Sequence, residues 1–182
     1  PSTGPSHASI FTSLIPSHHG VFHFMKKSIS AQTPTMAEIL KQNGYTTASF
    51  NGGGQIAAEF GFDRGFDLYQ SFAEETFGKI VNSSIDWIRG KKKEKFFVFL
   101  HTYEVHHPYA PEKDKLELFE KNYMGSLPDK ISIGLLKQIN KGKIDVDGND
   151  VKHIINTYDA EIYSMDQAFG KLVSFLKKEG LY

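Results

Sequence analysis

The sequence predicts an α/β fold with a parallel sheet flanked by helices, and three segments carry this prediction. A helical pattern at residues 36–42 ends in a glycine turn and is followed by a strand pattern at residues 45–50. Residues 96–100, FFVFL, form a continuous apolar run that is typical of a buried central strand in a parallel sheet. An amphipathic helical pattern later in the chain, residues 151–176, supplies a long covering helix.

That covering helix is predicted to bury its apolar stripe in the core. The stripe consists of Val151, Ile154, Ile155, Tyr158, Ile162, Met165, Phe169, Leu172, Val173 and Leu176. Its spacing follows the 3.6-residue helical period, which favours packing over a role in cofactor binding. Residues 112–148, by contrast, are lysine-rich and weakly patterned, and we interpret them as a surface excursion.

The composition limits the classes of function. A chain of 182 residues that is 40% hydrophobic can build one core but is short for two independent domains. Lysine plus arginine equals aspartate plus glutamate at 21 each, so no polyanion bias exists and nucleic acid is not an expected partner. The absence of cysteine excludes disulfides and thiolate metal sites, and no apolar run approaches the length of a membrane span.

Residues 1–20, PSTGPSHASIFTSLIPSHHG, form the first candidate site. Turn-forming residues precede a helical pattern, and Ser6 is the predicted N-cap, so Thr3 is expected in a tight turn just before the helix. Free backbone N–H groups and the helix dipole would attract an anionic ester there, and Thr3 would offer a hydroxyl to attack it. Ordinary turn and cap chemistry is the alternative reading of the same residues.

A second candidate site follows the apolar run at residues 96–100. His101, Glu104, His106 and His107 leave what would be the carboxyl end of a strand, where ligands bind in open α/β sheets. Three histidines within this short segment favour at least one functional imidazole, although a single histidine is usually a satisfied polar residue. We expect His101 to be less exposed than His106, and His107 to point away from His106.

Two further loops complete the candidates. Residues 51–54, NGGG, lie at the end of the first predicted strand and read either as a flexible turn or as part of a ligand site through Asn51. Asp63 and Arg64, in the segment GFDRGFD, are interpreted as a local ion pair in a packed structural turn.

Several of these motifs together resemble the sulfatase family of the alkaline phosphatase superfamily. The run T-G-P-S-H-A-S-I-F-T-S-L is similar to its signature, nucleophile-x-P-S-R followed by a helix, with Thr3 at the nucleophile, His7 at the usual arginine and Ser13 at a usual glycine. The segments T-M-A-E-I-L-K-Q-N-G-Y-T-T-A, G-F-D-R-G-F-D, H-T-Y-E-V-H-H-P-Y and Y-D-A-E-I resemble family motifs and occur in the expected order. In the third of these, Val105 stands at a usual proline.

The resemblance implies an alkaline-phosphatase-like sandwich with a mixed, mostly parallel sheet, incomplete in this chain. Residues 1–182 would be a single partial catalytic domain that lacks N-terminal and C-terminal metal-ligand segments. It implies a divalent metal, which would be calcium in a sulfatase proper and zinc, manganese or magnesium in a phosphoesterase. Thr3 would be the metal contact present here, with the remaining ligands outside this chain.

The resemblance also implies site roles. Thr3 and His106 would be catalytic, and His7, Asn51 and His101 would bind substrate. The expected activity is hydrolysis of sulfuric or phosphoric esters, with a small-molecule, glycan or lipid ester as the substrate. The alternatives are a phosphoethanolamine or phosphoglycerol-type transferase and a degenerate domain that only binds anions. If Thr3 and His106 share one tetrahedral group, their hydroxyl and ring nitrogen lie on the order of 4–8 Å apart.

Overall fold

The computed structural model describes residues 2–22, 28–73 and 75–182. They divide into two compact units, the first formed by Pro1–Thr102 with Phe175–Tyr182 and the second by Tyr103–Ser174. The elements, in chain order, are α1 (Thr3–Thr12), α2 (Pro16–His19), α3 (Met36–Gln42), β1 (Thr46–Asn51), β2 (Leu68–Ser71), α4 (Phe77–Arg89), β3 (Phe96–Leu100), α5 (Lys113–Phe119), α6 (Ile133–Asn140) and α7 (Gly148–Lys178).

The first unit contains a parallel sheet, which confirms the predicted α/β fold. The strand order is β2-β1-β3, and β1 pairs in parallel with both neighbours. Its register sets Thr46 opposite Phe96 in β3, and Ala48 opposite Leu68 in β2. The predicted strand at residues 45–50 is therefore β1, shifted by one residue, and all of it after Thr46 is buried.

The prediction that FFVFL is a buried central strand is wrong for the part of the chain described. β3 pairs there with β1 alone, and all five of its residues are only half-buried. The central position belongs to β1, whose sequence TTASFN is more polar. Apolar composition therefore identified a strand but not its place in the sheet, because sheet order depends on pairing between distant segments.

Aromatic contacts show which helix covers each face of the sheet. On one face, Phe11 of α1 lies 4.9 Å from Phe99, measured between ring centroids. On the other face, Trp87 of α4 lies 6.2 Å from Phe96 and 6.4 Å from Phe50. Because side chains alternate along a strand, the residue two positions after Phe99 must face α1.

Helix α3 begins with the capping box that its sequence predicts. The Thr35 side chain accepts from the Glu38 amide, and the Glu38 carboxylate accepts from the Thr35 amide. Arg64 forms its ion pair with this same Glu38 at 2.7 Å, so the predicted Asp63–Arg64 pair is wrong. Gly65 is a packing requirement, since a Cβ there would lie 2.1 Å from the Glu38 nitrogen. The GFDRGFD segment thus packs against the start of α3, and its role is structural, as the sequence indicated.

Helix α1 begins earlier than its sequence suggests. Thr3 is its first residue, Ser2 is its N-cap, and Ser6 already lies inside the helix with its amide bonded to the Ser2 carbonyl at 3.1 Å. The prediction that Ser6 is the N-cap is wrong, because Pro5 fits the first turn, where no amide donor is needed. Thr3 therefore occupies the first turn of the helix itself.

The end of α1 carries a residue in an unfavourable conformation. Ser13 follows the helix with φ 56° and ψ 22°, in the left-handed region that glycine adopts at low cost. Replacing Ser13 with glycine should stabilise the protein by about 1 kcal/mol. The free energy of unfolding from urea denaturation measures this gain. Ser17→Gly, at an exposed position inside α2, is the control and should destabilise; a loss of stability in both variants would contradict the cap explanation.

In the second unit, the long helix α7 buries a different face from the one predicted. Val151, Ile155, Ile162 and Phe169 of the apolar stripe are exposed among the described residues. The buried residues of α7 are Asp150, His153, Asn156, Thr157, Ala160, Glu161 and Leu172, and of these only Leu172 belongs to the stripe. The core prediction is therefore confirmed for Leu172 but wrong for the exposed members of the stripe, because polar partners from residues 103–130 bind the other face.

These partners form a buried polar network around His153. Its Nδ1 faces the Glu120 carboxylate, and its Nε2 lies 3.2 Å from the Pro128 carbonyl oxygen. The ring of Tyr123 stacks on His153 at 3.9 Å, and its hydroxyl donates to Asp150. The segment interpreted as a surface excursion therefore has its own ordered packing. No helix among the residues described is long and apolar enough to cross a membrane.

Candidate active site

The start of α1 places Thr3 beside a capped helix terminus. The Gly4 amide donates to Oε1 of Gln55 at 3.1 Å, and the Ser2 hydroxyl lies 3.4 Å from the same oxygen. Gln55 reaches this position from a short 3₁₀ turn, Gly54–Ile56, that begins at the last glycine of the NGGG loop. The first amides of α1 are thus partly satisfied by a side chain, rather than all being free for an anion as the sequence suggested.

His7 is held over the first turn of the same helix. Its Nδ1 lies 2.8 Å from the Thr3 carbonyl oxygen. Because a carbonyl oxygen only accepts hydrogen bonds, Nδ1 must carry a proton, and Nε2 of the neutral ring keeps its lone pair. The backbone of Thr3 therefore fixes both the orientation and the tautomer of His7.

His101 follows β3 and lies against His7. Their ring centroids are 4.9 Å apart with the rings nearly perpendicular, and Phe99 stacks on His101 at 6.4 Å. Burial, and secondarily the proximity of His7, lowers the pKa of His101 to about 4. His101 is consequently neutral at physiological pH and lies on the α1 face of the sheet.

This low pKa predicts acid lability. The unfolded chain takes up a proton on His101 near pH 6.5, whereas the folded protein does so only near pH 4. Stability should therefore be complete above about pH 6.5 and fall toward pH 4, by at most about 1.4 kcal/mol per pH unit from this residue. His101→Phe should reduce the slope seen in urea denaturation of the full-length protein between about pH 4 and 7.

A matched control uses an exposed histidine. His18→Phe changes a side chain at the surface of α2 and should leave the slope unchanged. His19 should contribute to the pH dependence of stability in every variant, because burial lowers the pKa of His19 as well. A His101→Phe variant with the wild-type slope would show that His101 does not contribute.

Asn51 shapes the glycine loop from inside. It is completely buried; its Oδ1 accepts from the Gly53 amide at 2.8 Å, and its Nδ2 donates to the Ser49 hydroxyl at 2.9 Å. Gly53 adopts φ 69°, a left-handed conformation that suits glycine. The described contacts of Asn51 organise the loop that delivers Gln55, and its role in substrate binding stays a prediction.

The remaining predicted residue, His106, lies in the second unit. It is exposed, its Nδ1 lies 2.8 Å from the His107 carbonyl oxygen, and its amide donates to the Tyr103 carbonyl at 2.9 Å. The rings of His106 and His107 lie only 4.2 Å apart, so the prediction that His107 points away is wrong. The segment is a turn rather than an extended strand, and side-chain alternation does not apply to it.

The structure brings three of the predicted residues together. Thr3, His7 and His101 form one group on the first unit, with Asn51 bracing the neighbouring loop. Thr3 and His106 belong to different units, so their predicted approach stays a prediction.

Sequence reasoning assigned no role to Gln55, to Glu161 or to His19. His19 is a buried structural link: its Nδ1 accepts from the Val21 amide, so its Nε2 donates to the Ser9 hydroxyl, both at 3.1 Å. A turn glutamine and a helical glutamate carry no sequence signal of such contacts. The sequence shows the histidine pair at residues 18–19, but it does not indicate that His19 is buried while His18 is exposed.

Comparison with known families identifies the fold. The sequence matches the Sulfatase family over residues 1–182. This chain belongs to the sulfatase family. Among curated proteins, none matches the sequence.

Solved structures show the same fold. BT4656, in complex with its substrate D-glucosamine-2-N,6-O-disulfate, matches with a TM-score of 0.72 at 15% identity, over 98% of this chain and 53% of that chain. The phosphonate monoester hydrolase of Agrobacterium radiobacter gives 0.71 at 14%, covering 100% and 51%. The periplasmic domain of the phosphoethanolamine transferase EptC from Campylobacter jejuni gives 0.67 at 14%, covering 100% and 50%. The chain thus spans about half the length of these sulfatase-like structures.

Members of the sulfatase family generally use a divalent metal ion. Across residues 2–22, 28–73 and 75–182, no group of three or more histidine, cysteine, aspartate or glutamate side chains is arranged to hold one. Hard divalent cations prefer several carboxylate oxygens, and the group around Thr3 supplies a hydroxyl and two imidazoles instead. These residues alone do not fit such an ion.

Proposed function

We propose that this chain carries the nucleophile-bearing part of a sulfatase-family enzyme that cleaves sulfuric or phosphoric esters, with Thr3 as the direct nucleophile. The observation that carries the proposal is the position of Thr3 in the first turn of α1, with His7 fixed on its carbonyl and a neutral His101 beside it. A helix N-terminus favours a negatively charged group, and a phosphoric or sulfuric ester is such a group.

The reaction transfers the phosphoryl or sulfuryl group to Thr3. The Thr3 oxygen forms a bond to phosphorus or sulfur, the bond to the leaving oxygen breaks, and the hydroxyl proton passes to a base of the site. His106 is the proposed group that contacts the ester and delivers a proton to the leaving oxygen. Water then releases the group from Thr3 in a hydrolase, whereas an alcohol accepts it in a transferase. The metal contact proposed for Thr3 requires ligands outside this chain.

Phosphoric and phosphonic esters are the substrates that the nucleophile favours. Sulfatases proper use a formylglycine made from cysteine or serine, and the Cβ methyl group of Thr3 prevents formation of that aldehyde. The likeness to a phosphonate monoester hydrolase and to a phosphoethanolamine transferase supports the same direction and keeps the transferase as the second candidate.

A binding-only domain is the third candidate. The NGGG loop and Gln55 supply no basic residue, and His7 stands where the family usually has arginine, so the described anion site has little positive charge. Such a domain would bind an anionic ester and leave it intact.

A substrate panel separates the three candidates. The full-length protein is incubated with an aryl phosphodiester, an aryl phosphonate monoester and an aryl sulfate in the presence of added divalent metal, with and without an alcohol acceptor. We expect the phosphorus esters to be cleaved faster than the sulfate. Product that appears only with the alcohol would indicate the transferase, whereas calorimetric binding without any product would indicate the binding-only domain.

A further inference from the structure

The loop that carries His106 contains a residue in an unfavourable backbone conformation. Val105 has φ 68°, in the left-handed region that β-branched residues almost never adopt. The neighbouring His106 amide closes a turn onto the Tyr103 carbonyl at 2.9 Å. A conformation of this kind persists only where surrounding contacts impose it, and such residues concentrate at functional sites.

Glu161 on α7 binds the backbone of this loop. Glu161 is only 7% exposed, and its Oε1 accepts from the Ala110 amide at 2.6 Å. The Val105 backbone and the Ala110 amide both lower the pKa of this carboxyl. One buried side chain on α7 therefore binds the loop backbone shortly after His106.

Burial at this position is unfavourable for the Glu161 carboxyl group. Burial raises the pKa of Glu161, and the nearby Glu104 carboxylate raises it further. A buried carboxyl group next to another acidic side chain requires a compensating donor, and the Ala110 amide is such a donor. An apolar residue at this helix position would avoid the cost but would leave that amide without its acceptor.

We propose that Glu161 is a positioning residue that fixes the conformation of the loop at residues 103–110 and thereby the placement of His106. Its carboxyl group binds the Ala110 amide and thereby holds the segment in which Val105 adopts the left-handed conformation. The inference deepens the proposed function, since His106 is the proposed contact to the ester, but its conformational part is independent of any activity.

The first test measures the loop directly. In the full-length protein, Glu161→Leu should increase amide hydrogen exchange at Ala110 by at least about 10-fold, because this amide loses its acceptor. Glu161→Gln keeps one carbonyl oxygen and should retain part of the protection. Asp166→Asn, at an exposed position on the same helix, is the control and should change nothing. Unchanged exchange in Glu161→Leu would overturn the proposal.

The second test uses the strain at Val105. Glycine tolerates the left-handed conformation, so Val105→Gly should restore part of the ester cleavage that Glu161→Leu loses. The loss should appear in kcat more than in KM and should be about 10-fold or more, with Glu161→Gln intermediate. Additive effects of the two substitutions would overturn the proposal, because residues acting through one loop conformation must be coupled.

The two tests separate the proposals from each other. If the wild-type protein cleaves none of the esters, the proposed function fails, while the exchange measurement still decides whether Glu161 fixes the loop. If Glu161→Leu loosens the loop but leaves kcat unchanged in an active enzyme, Glu161 is a structural link only and its positioning role is wrong.

Discussion

Thr3→Ala should lower turnover of the preferred ester by at least about 1,000-fold in the full-length protein, because it removes the attacking oxygen while leaving the helix intact. Alanine is well tolerated in the first turn of a helix, and the described hydrogen bond between Thr3 and His7 uses the Thr3 carbonyl rather than its side chain. Steady-state kinetics with an aryl phosphodiester measures the effect, which should appear in kcat.

Two further variants separate chemistry from folding. Thr3→Ser keeps a hydroxyl at the same position and should retain most of the turnover. Thr12→Ala removes the same side chain two turns later, where its hydroxyl donates to the Ala8 carbonyl at 2.7 Å and accepts from the Leu14 amide at 3.3 Å, and should also leave turnover nearly unchanged. Full activity in Thr3→Ala would show that Thr3 is not the nucleophile.

The largest effect on stability is expected from the buried pair of Glu120 and His153. His153 is completely buried, and both of its ring nitrogens face acceptors, the Glu120 carboxylate and the Pro128 carbonyl. Glu120→Leu removes one acceptor and leaves the imidazole and Asn156 without it, so it should destabilise the second unit by about 3 kcal/mol. Thermal unfolding and limited proteolysis within residues 103–174 measure this loss.

Matched variants test whether the pair itself is responsible. Asp114→Asn breaks an exposed ion pair with Lys115 in the same unit and should cost less than about 1 kcal/mol. The double variant Glu120→Leu with His153→Leu replaces both polar partners with apolar ones and should be more stable than Glu120→Leu alone. A double variant that loses the sum of both single effects would show that the two residues act independently.

The sequence by itself determined the features that depend on neighbouring residues. The Thr35–Glu38 capping box and the strand at β1 are local patterns, and the structure has them where the sequence predicts them, with β1 shifted by one residue. The ordered motifs also predicted the sulfatase family, to which the chain belongs. Such features depend only on residues that are close together in the chain, so a single helical turn or a single strand is enough to predict them.

The tertiary structure decided which surfaces of those elements are used. α7 buries His153 and Glu161 rather than most of its apolar stripe, and β3 lies at the edge of the described sheet although its sequence is the more apolar. A helical period shows that one face of a helix differs in polarity from another. The face that is buried, however, is the one whose side chains find matching partners in the rest of the fold. For α7 those partners are Glu120 and the Ala110 amide, which lie 33 and 51 residues away in the chain. Burial of polar groups is favourable only when such distant donors and acceptors meet, and their meeting is a property of the fold rather than of any local segment.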